Sequence, residues 1–267
     1  MYRGFNLLLE DNYSEERDFE AFKKAGLESF SSQKASIEEK INSFVGDDGS
    51  LNGSMMKTNW FPQIKADIFI SHSHKDKELA LALAGWLSDS FGLIPFIDSC
   101  VWGYANDLLK MIDDKYCLKD THFYSYEKRN YSTSHVHMML SVALSQMIDN
   151  TECLFFLNTP NSITPGTIIK QTESPWIYSE IATTRLIRKK ALEEYRSKQM
   201  MESFSEGGEI IPRVRYDLQV DHLTDIDDGV LKDWKKSWKT TSLNRYFIQH
   251  PENSKVHPLD KLYEIKK

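Results

Sequence analysis

The sequence predicts an α/β fold: a mostly parallel sheet with helices on both faces and a helical N-terminal extension. Short β-rich segments alternate with segments of helical periodicity, and Cys153–Leu157 is a continuous apolar run. Strands buried on both faces of a parallel sheet have such runs, and alternation of strands with helices is typical of right-handed crossovers. We expect the strand order 2-1-3-4-5.

The individual elements follow from periodicity and from residues typical of helix ends. Leu79, Leu83 and Leu87 recur at helical spacing. Pro175 after Ser174 is a typical helix start. The predicted strands are Asp67–Ser71, Ile94–Asp98, Cys153–Leu157, Ile210–Val214 and, as the best fifth candidate, Tyr246–Ile248. The predicted helices are Lys75–Phe91, Asn106–Tyr116, His135–Ile148, Ser174–Tyr195, Leu231–Trp238 and Pro258–Ile265.

The first part of the chain is interpreted as a unit distinct from the rest. Residues 1–60 contain two short amphipathic segments, and the stretch 46–59 is rich in Gly, Ser, Asp and Asn, as linkers are. We favour a helical cap over a partner-binding element, because the apolar residues need a surface to pack on. Residues 61–267 form the main domain, in which the polar, aromatic stretch 117–134 is predicted to be an insertion.

Composition excludes several classes of protein. Lys and Arg number 33 against 39 Asp and Glu, a net charge of −6, which disfavours nucleic acid as a partner. The 3 cysteines have no CxxC spacing, so neither a disulfide framework nor a cysteine-rich zinc site is expected. Leu79–Leu87, the longest apolar stretch, is too short to span a bilayer. Without features of a signal peptide, we expect a cytoplasmic protein with no membrane partner.

Polar residues follow the first two predicted strands. The turn Ser71–Asp76 leads into a helix, whose N-terminal N–H groups could hold a phosphate or a ribose. Asp98 ends the second strand on the same rim, where it could bind ribose hydroxyls or cap a turn. The pair His72 and His74 could bind a metal, but no third or fourth ligand is evident. We therefore predict no metal site.

Three further residues are candidates for the same rim. Trp102 could stack on a base or simply pack. Trp176 and Glu180 lie one helical turn apart, and a carboxylate beside a Trp at the edge of an apolar face can be partly desolvated. From spacing alone, an ordinary solvated glutamate is favoured. The order 2-1-3-4-5 changes this, because the loops after strands one and three then face each other across a crevice, bringing Glu180 to Ser71 and Asp98.

These segments resemble a known family. DIFISHSHKD (residues 67–76) is similar to the first conserved box of TIR (Toll/interleukin-1 receptor) domains, which have a flavodoxin-like fold. Phe96-Ile97-Asp98, followed by Gly103 and a helix, resembles the second strand and BB loop. Trp176-x-x-x-Glu180 has the form that carries the catalytic glutamate of NAD-cleaving TIR enzymes. The resemblance covers roughly residues 65–220 and is closest to bacterial TIR proteins, including the TIR component of Thoeris anti-phage systems.

The resemblance implies an NAD+ nucleosidase, or ADP-ribosyl cyclase-like hydrolase. Glu180 would be catalytic, and substrate would be bound by Ser71, His72, Ser73, Asp98, Trp102 and Trp176. NAD+ is the substrate, and no cofactor is expected. The product would be an ADP-ribose-derived signalling nucleotide that acts on a separate effector protein in antiviral defence. A cyclic form is favoured, and linear or conjugated ADP-ribose stay open as alternatives. Because such sites are completed by a neighbouring protomer, a homo-oligomer is expected.

Two other functions stay open at this point. Many TIR domains are non-catalytic adaptors that act through homotypic TIR–TIR association. A phospho-acceptor or nucleotide-binding protein of flavodoxin-like fold would need an acidic cluster at the first strand, where Ser71 and His72 stand instead. It would also be expected to have a glycine-rich phosphate loop.

Overall fold

A computed structural model describes most of the chain. The described residues are 1–9, 18–33, 41–102, 105–119, 123–163, 171–195, 216–217, 220–247 and 256–266. The strands are β1 (Arg3–Leu8), β2 (Ile68–Ser71), β3 (Pro95–Phe96), β4 (Cys153–Leu157), β5 (Gln171–Thr172), β6 (Tyr216–Asp217) and β7 (Thr224–Asp227). The helices are α1 (Phe19–Gln33), α2 (Gly53–Trp60), α3 (Lys77–Phe91), α4 (Asp98–Val101), α5 (Ala105–Tyr116), α6 (Tyr126–Asn150), α7 (Pro175–Leu186), α8 (Asp228–Phe247) and α9 (Pro258–Ile265).

Five strands form one sheet, in the order β3-β2-β4-β1-β7, and every neighbouring pair is parallel. The predicted α/β class and parallel sheet are therefore confirmed. The side chains of β2 and β4 are buried throughout, as their apolar sequences indicate. A separate antiparallel pair joins β5 to β6.

The predicted strand order is wrong in its second half. The fourth position is taken by β1, which pairs with β4 from Arg3 opposite Cys153 to Leu7 opposite Leu157, and the fifth by β7. The segment predicted as the fifth strand ends α8, with Ile248 outside the described residues. The predicted fourth strand, 210–214, also lies outside them. One edge of β4 is paired with β2, and β1 occupies the other edge, where the fourth strand was predicted.

The N-terminal segment is consequently part of the main domain. It supplies a sheet strand, and α1 packs along α3. The stretch predicted as a linker contains α2, which begins after Asn52, whose side-chain oxygen accepts a hydrogen bond from the Met55 N–H. The predicted insertion at 117–134 is in part the start of α6, which begins at Tyr126, nine residues before the predicted helix. Conversely, α7 ends at Leu186, short of the predicted Tyr195.

The helices cover opposite faces of the sheet. Trp234 of α8 packs against Phe155 of β4. The next residue of β4, Phe156, is paired in register with Ser71, and Ser71 contacts α7. Successive residues of a strand point to opposite faces, so α7 and α8 lie on opposite sides. The first layer contains α1, α3, α8 and α9, and the second contains α2, α5, α6 and α7. None of the described helices combines the length and apolar character needed to cross a membrane.

Two glycines allow α1 and α3 to touch through their backbones. A Cβ added at Gly85 would stand 1.9 Å from the Phe22 carbonyl oxygen, and one added at Gly26 would stand 2.2 Å from that of Leu81. Backbone atoms cannot move aside as a flexible side chain can. The crossing of the two helices therefore requires glycine at both positions, and it fixes the N-terminal segment to the sheet layer beneath.

We expect Gly85→Ala to destabilise the fold by about 2 kcal/mol or more, because overpacking typically costs ~1–3 kcal/mol. The helix-propensity gain of about 1 kcal/mol opposes this loss but does not cancel it. Gly53→Ala is the matched control, since its added Cβ would meet only the flexible Met139 methyl, at 3.3 Å. Urea unfolding monitored by circular dichroism measures the free energy of unfolding of both variants. Equal stability of the two variants would contradict the close crossing.

Candidate functional site

The candidate site lies at the carboxyl ends of β2 and β4. From β2 the chain proceeds to β3 on one side, and β4 lies on its other side. Loops leaving such a pair of strands diverge and open a crevice, which is the usual ligand site of open α/β sheets. The strands β3, β2 and β4 have the order that was predicted as 2-1-3. The predicted switch point is therefore present, although the strand order in the other half of the sheet differs from the prediction.

A buried hydrogen bond joins β2 to α7 at this point. The Ser71 hydroxyl donates to Glu180 Oε2, with 2.6 Å between the oxygens. Glu180 is only 3% exposed, and its neighbours in sequence along the buried side of α7 are Ile177 and Ile181. The start of the helix is fixed by Ser174, whose hydroxyl oxygen accepts a hydrogen bond from the Ile177 N–H at 3.2 Å. The predicted proximity of position 180 to the serine–histidine turn is thus observed.

The environment of Glu180 favours its protonated form. Burial raises the pKa of Glu180 well above its usual range, and the nearby Asp98 carboxylate raises the pKa further. The hydrogen bond from Ser71 acts in the opposite direction, because it stabilises the charged form. A buried carboxyl group with a second carboxylate nearby is a recurring property of catalytic sites, and it also occurs in structural networks.

His72 is the second buried titratable group of the cluster. It is 9% exposed, and neither ring nitrogen has a well-formed hydrogen bond to the described residues. Burial lowers the pKa of His72, with the charge of Asp98 opposing the shift. The neutral ring can donate one hydrogen bond and accept another, so it has the capacity to hold a polar ligand. We refer to Ser71, His72, Asp98 and Glu180 as the Glu180 cluster.

Asp98 of the cluster and Ser73, which follows His72, are less deeply buried than Ser71 and Glu180. Ser73 precedes a single 3₁₀ turn, His74–Asp76, and its side chain makes no capping hydrogen bond. Asp98 is the first residue of α4. Both residues are intermediate in exposure.

A second polar network ties the two loops together. Thr159 Oγ1 donates to one Asp76 oxygen at 2.5 Å, and Asn161 Nδ2 donates to the other at 2.7 Å. Sequence analysis did not single out Thr159 or Asn161. The signal was present, because the polar stretch 158–162 directly follows the apolar strand β4 and so lies at the same edge as Ser71.

A third group of polar side chains depends on β1. Asn6 is buried in the sheet, its Nδ2 donates to Asp225 Oδ1 at 2.5 Å, and its Oδ1 accepts from Asn158 Nδ2 at 3.0 Å. The sequence did not predict this group, because β1 was not placed in the sheet. The available signal was a single asparagine among the apolar residues Phe5, Leu7 and Leu8.

The two tryptophans are placed differently from each other. Trp102 is a core residue that is 2% exposed, so of its two interpretations, a platform for a base or a packing residue, the structure shows the packing residue. Its indole N–H donates to the Pro62 carbonyl oxygen at 2.8 Å, and its ring packs edge-on against Phe61 and Phe96. Trp176 is half-buried at the start of α7, edge-on to His137 with 5.6 Å between ring centroids.

Among the described residues, no group of three or more His, Cys, Asp and Glu side chains has the arrangement of a metal site. Comparison with known proteins adds no assignment: no family model, no curated protein and no solved structure matches the chain.

The raised pKa of Glu180 makes stability depend on pH in a defined direction. A buried acid that prefers to be neutral stabilises the fold most below the unfolded glutamate pKa of about 4.3, and this contribution is lost as pH rises toward the folded pKa. Glu180→Gln keeps the neutral shape and an oxygen for Ser71. We expect this variant to be more stable than wild type at pH 7.5, with the difference vanishing near pH 4.

Urea midpoints at the two pH values measure this difference. Glu28→Gln, at an exposed position of α1, is the matched control and should follow wild type at both pH values. A Glu180→Gln variant less stable than wild type at pH 7.5 would show that the native state needs the charged carboxylate.

Proposed function

We propose that the protein is a TIR-type enzyme that cleaves NAD+ and releases nicotinamide. The observation that carries the proposal is the buried Ser71–Glu180 pair at the switch point of a parallel sheet, with Asp98 and His72 beside it. This is where open α/β sheets bind ligands. The TIR-like motifs of the sequence supply the choice of substrate.

The reaction needs one well-placed carboxylate. In NAD+ the bond between ribose C1′ and the pyridinium nitrogen breaks, and its electron pair leaves with nicotinamide, which departs neutral. No acid is needed to protonate this leaving group, in contrast to ordinary glycosidases. Positive charge develops on the ribose, where ionised Glu180 would stabilise it. The positively charged substrate itself favours ionisation of Glu180, because an opposite charge lowers the pKa of an acid.

The other residues of the cluster have supporting roles. Ser71 would hold one Glu180 oxygen by its present hydrogen bond, leaving the other for the ribose. Neutral His72 and the partly exposed Ser73 and Asp98 would bind ribose or phosphate oxygens. The apolar surroundings of Glu180 exclude water, and a water-poor site favours capture of the ribosyl cation by a nitrogen of the substrate's own base. A cyclic ADP-ribose product is the outcome that fits this environment.

Access to Glu180 requires a rearrangement. With a side chain that is 3% exposed, the carboxylate cannot touch a dinucleotide until neighbouring groups move. Association with a second copy of the chain would supply this movement and would keep the isolated protomer silent. A cytoplasmic enzyme of this kind would pass its product to a separate effector protein.

The closed position of Glu180 also favours the second candidate function. A non-catalytic adaptor that acts through homotypic association would use the Ser71–Glu180 hydrogen bond only to hold α7 on the sheet. The two functions differ in whether nicotinamide is released.

We expect purified wild-type protein, concentrated in a crowding agent to favour association, to release nicotinamide from NAD+. Loss of one electrostatic stabiliser of a transition state costs about 10²–10³-fold in rate, so Glu180→Gln should release nicotinamide at least about 100-fold more slowly. Chromatography of nicotinamide and mass analysis of the product measure the reaction. Glu28→Gln should match wild type.

Nicotinamide release that persists in Glu180→Gln would remove the catalytic assignment. Concentration-dependent association of wild type and Glu180→Gln alike, with no nicotinamide released by either, would identify the adaptor instead.

A further inference from the structure

A cavity of about 660 Å³ lies between residues 49–53, α2, α5 and the first half of α6. Pockets for small organic ligands usually measure roughly 300–1,000 Å³. The cavity shares no lining residue with the Glu180 cluster, and the proposed NAD+ cleavage does not use it. The cavity is therefore separate from the Glu180 cluster and is large enough for a small ligand.

The interior of the cavity is apolar and adaptable. It is lined by Leu51, Met56, Ile112 and Met139. Methionine side chains are flexible and polarisable, and their sulfur atoms make favourable contacts with aromatic rings. A flat ring inserted between Met56 and Met139 would replace water next to apolar atoms, which is favourable.

Three ring side chains on α5 and α6 line part of the cavity. Tyr116, Tyr131 and His135 all line it, and the rings of Tyr131 and His135 are 4.4 Å apart between centroids at an interplanar angle of 65°. Tyr131 is 71% exposed in spite of this position. An aromatic ligand would cover the exposed ring and gain the offset-stacked or edge-on contact that aromatic pairs prefer.

Polar contacts of a buried carboxylate connect the two helices that carry these rings. The Asp113 carboxylate is buried, and it accepts hydrogen bonds from Ser132 Oγ at 2.5 Å and Arg129 Nε at 2.7 Å. Removing one partner from a buried charged pair leaves an uncompensated charge and is costly. This network holds α5 to α6, so the cavity between them is preformed.

The charged side chains at the cavity do not favour an ionic ligand. Glu127 and Lys128 have opposite charges, and the Lys128 ammonium group already donates to the Tyr116 carbonyl oxygen at 3.0 Å. The two charges offset each other, so these residues give the cavity no excess of positive charge that would attract a polyanion. The polar groups suit instead the hydrogen-bonding edge of a neutral ring.

We propose that this cavity binds an uncharged planar heterocycle, with its ring between Tyr131 and the two methionines and its polar edge toward Glu127 and His135. Such a ligand matches the cavity in volume, in the aromatic and thioether groups that contact it, and in charge. The site is independent of NAD+ cleavage, so either proposal can fail without the other.

The test uses the full chain with ¹³C-labelled methionine methyl groups and three uncharged probes: adenosine, nicotinamide and indole. Ring currents from a bound probe should shift the methyl signals of Met56 and Met139, whereas that of Met147, buried in the core away from the cavity, should stay in place. Absence of any shift at millimolar concentrations of all three probes would overturn the proposal.

Two exposed tyrosines provide matched variants. Tyr131 lines the cavity, whereas Tyr126, 78% exposed on the same helix, does not. Stacking of a base on an aromatic side chain is a strong contact, so Tyr131→Ala should weaken binding about tenfold and Tyr126→Ala should leave it unchanged. Equal effects of the two variants, or binding of AMP much tighter than that of adenosine, would contradict the proposed ligand class.

Discussion

The place of β1 in the sheet is the constraint on which the rest of the fold depends. Adjacent strands lie about 4.8 Å apart, so without β1 a gap of two strand spacings would separate β4 from β7. Both strands would then expose unpaired backbone groups. The five register pairs from Arg3 to Leu7 with β4 join segments about 150 residues apart in sequence. Closing so long a loop costs only slowly increasing entropy, and the buried pairing repays it.

Glu180 is an exception to the way in which the interior stabilises the fold. Most of this interior lowers its free energy by burying apolar side chains, yet α7 places a carboxyl group among them, beside the charge of Asp98. The Ser71 hydroxyl compensates only in part, because it serves one of two carboxylate oxygens. A residue that costs stability where an amide would fit equally well indicates a use other than folding. Trp102 shows the reverse, since its indole is fully satisfied within the core.

Local patterns predicted the elements that depend on neighbouring sequence. The apolar strands β2 and β4, the helix α3 and the start of α7 at Ser174 followed from periodicity and capping, and the topology rule then brought Ser71 to Glu180. β1 could not be predicted in this way, because a six-residue strand fits several positions and its partners are distant. β7 has the polar sequence TDID, in which only Ile226 is buried, so alternation gave too little signal. The burial of Trp102 depends on Pro62 and Phe61, which follow the supposed linker.

The hydrogen bonds around Glu180 indicate which edge of the site can move without separating Ser71 from Glu180. The loop after β2 is held twice, by the Ser71–Glu180 bond and by the contacts of Asp76 with Thr159 and Asn161. By contrast, β3 makes only two register pairs with β2 and continues into α4, a single turn anchored at its far end by Trp102. Movement of this edge would break its backbone hydrogen bonds to β2 and those between Ile94 and Asp67, but it would leave the hydrogen bonds of Glu180 and Asp76 in place. A partner that binds there would change the surroundings of Asp98, and with them the charge state of Glu180, while leaving the buried pair intact.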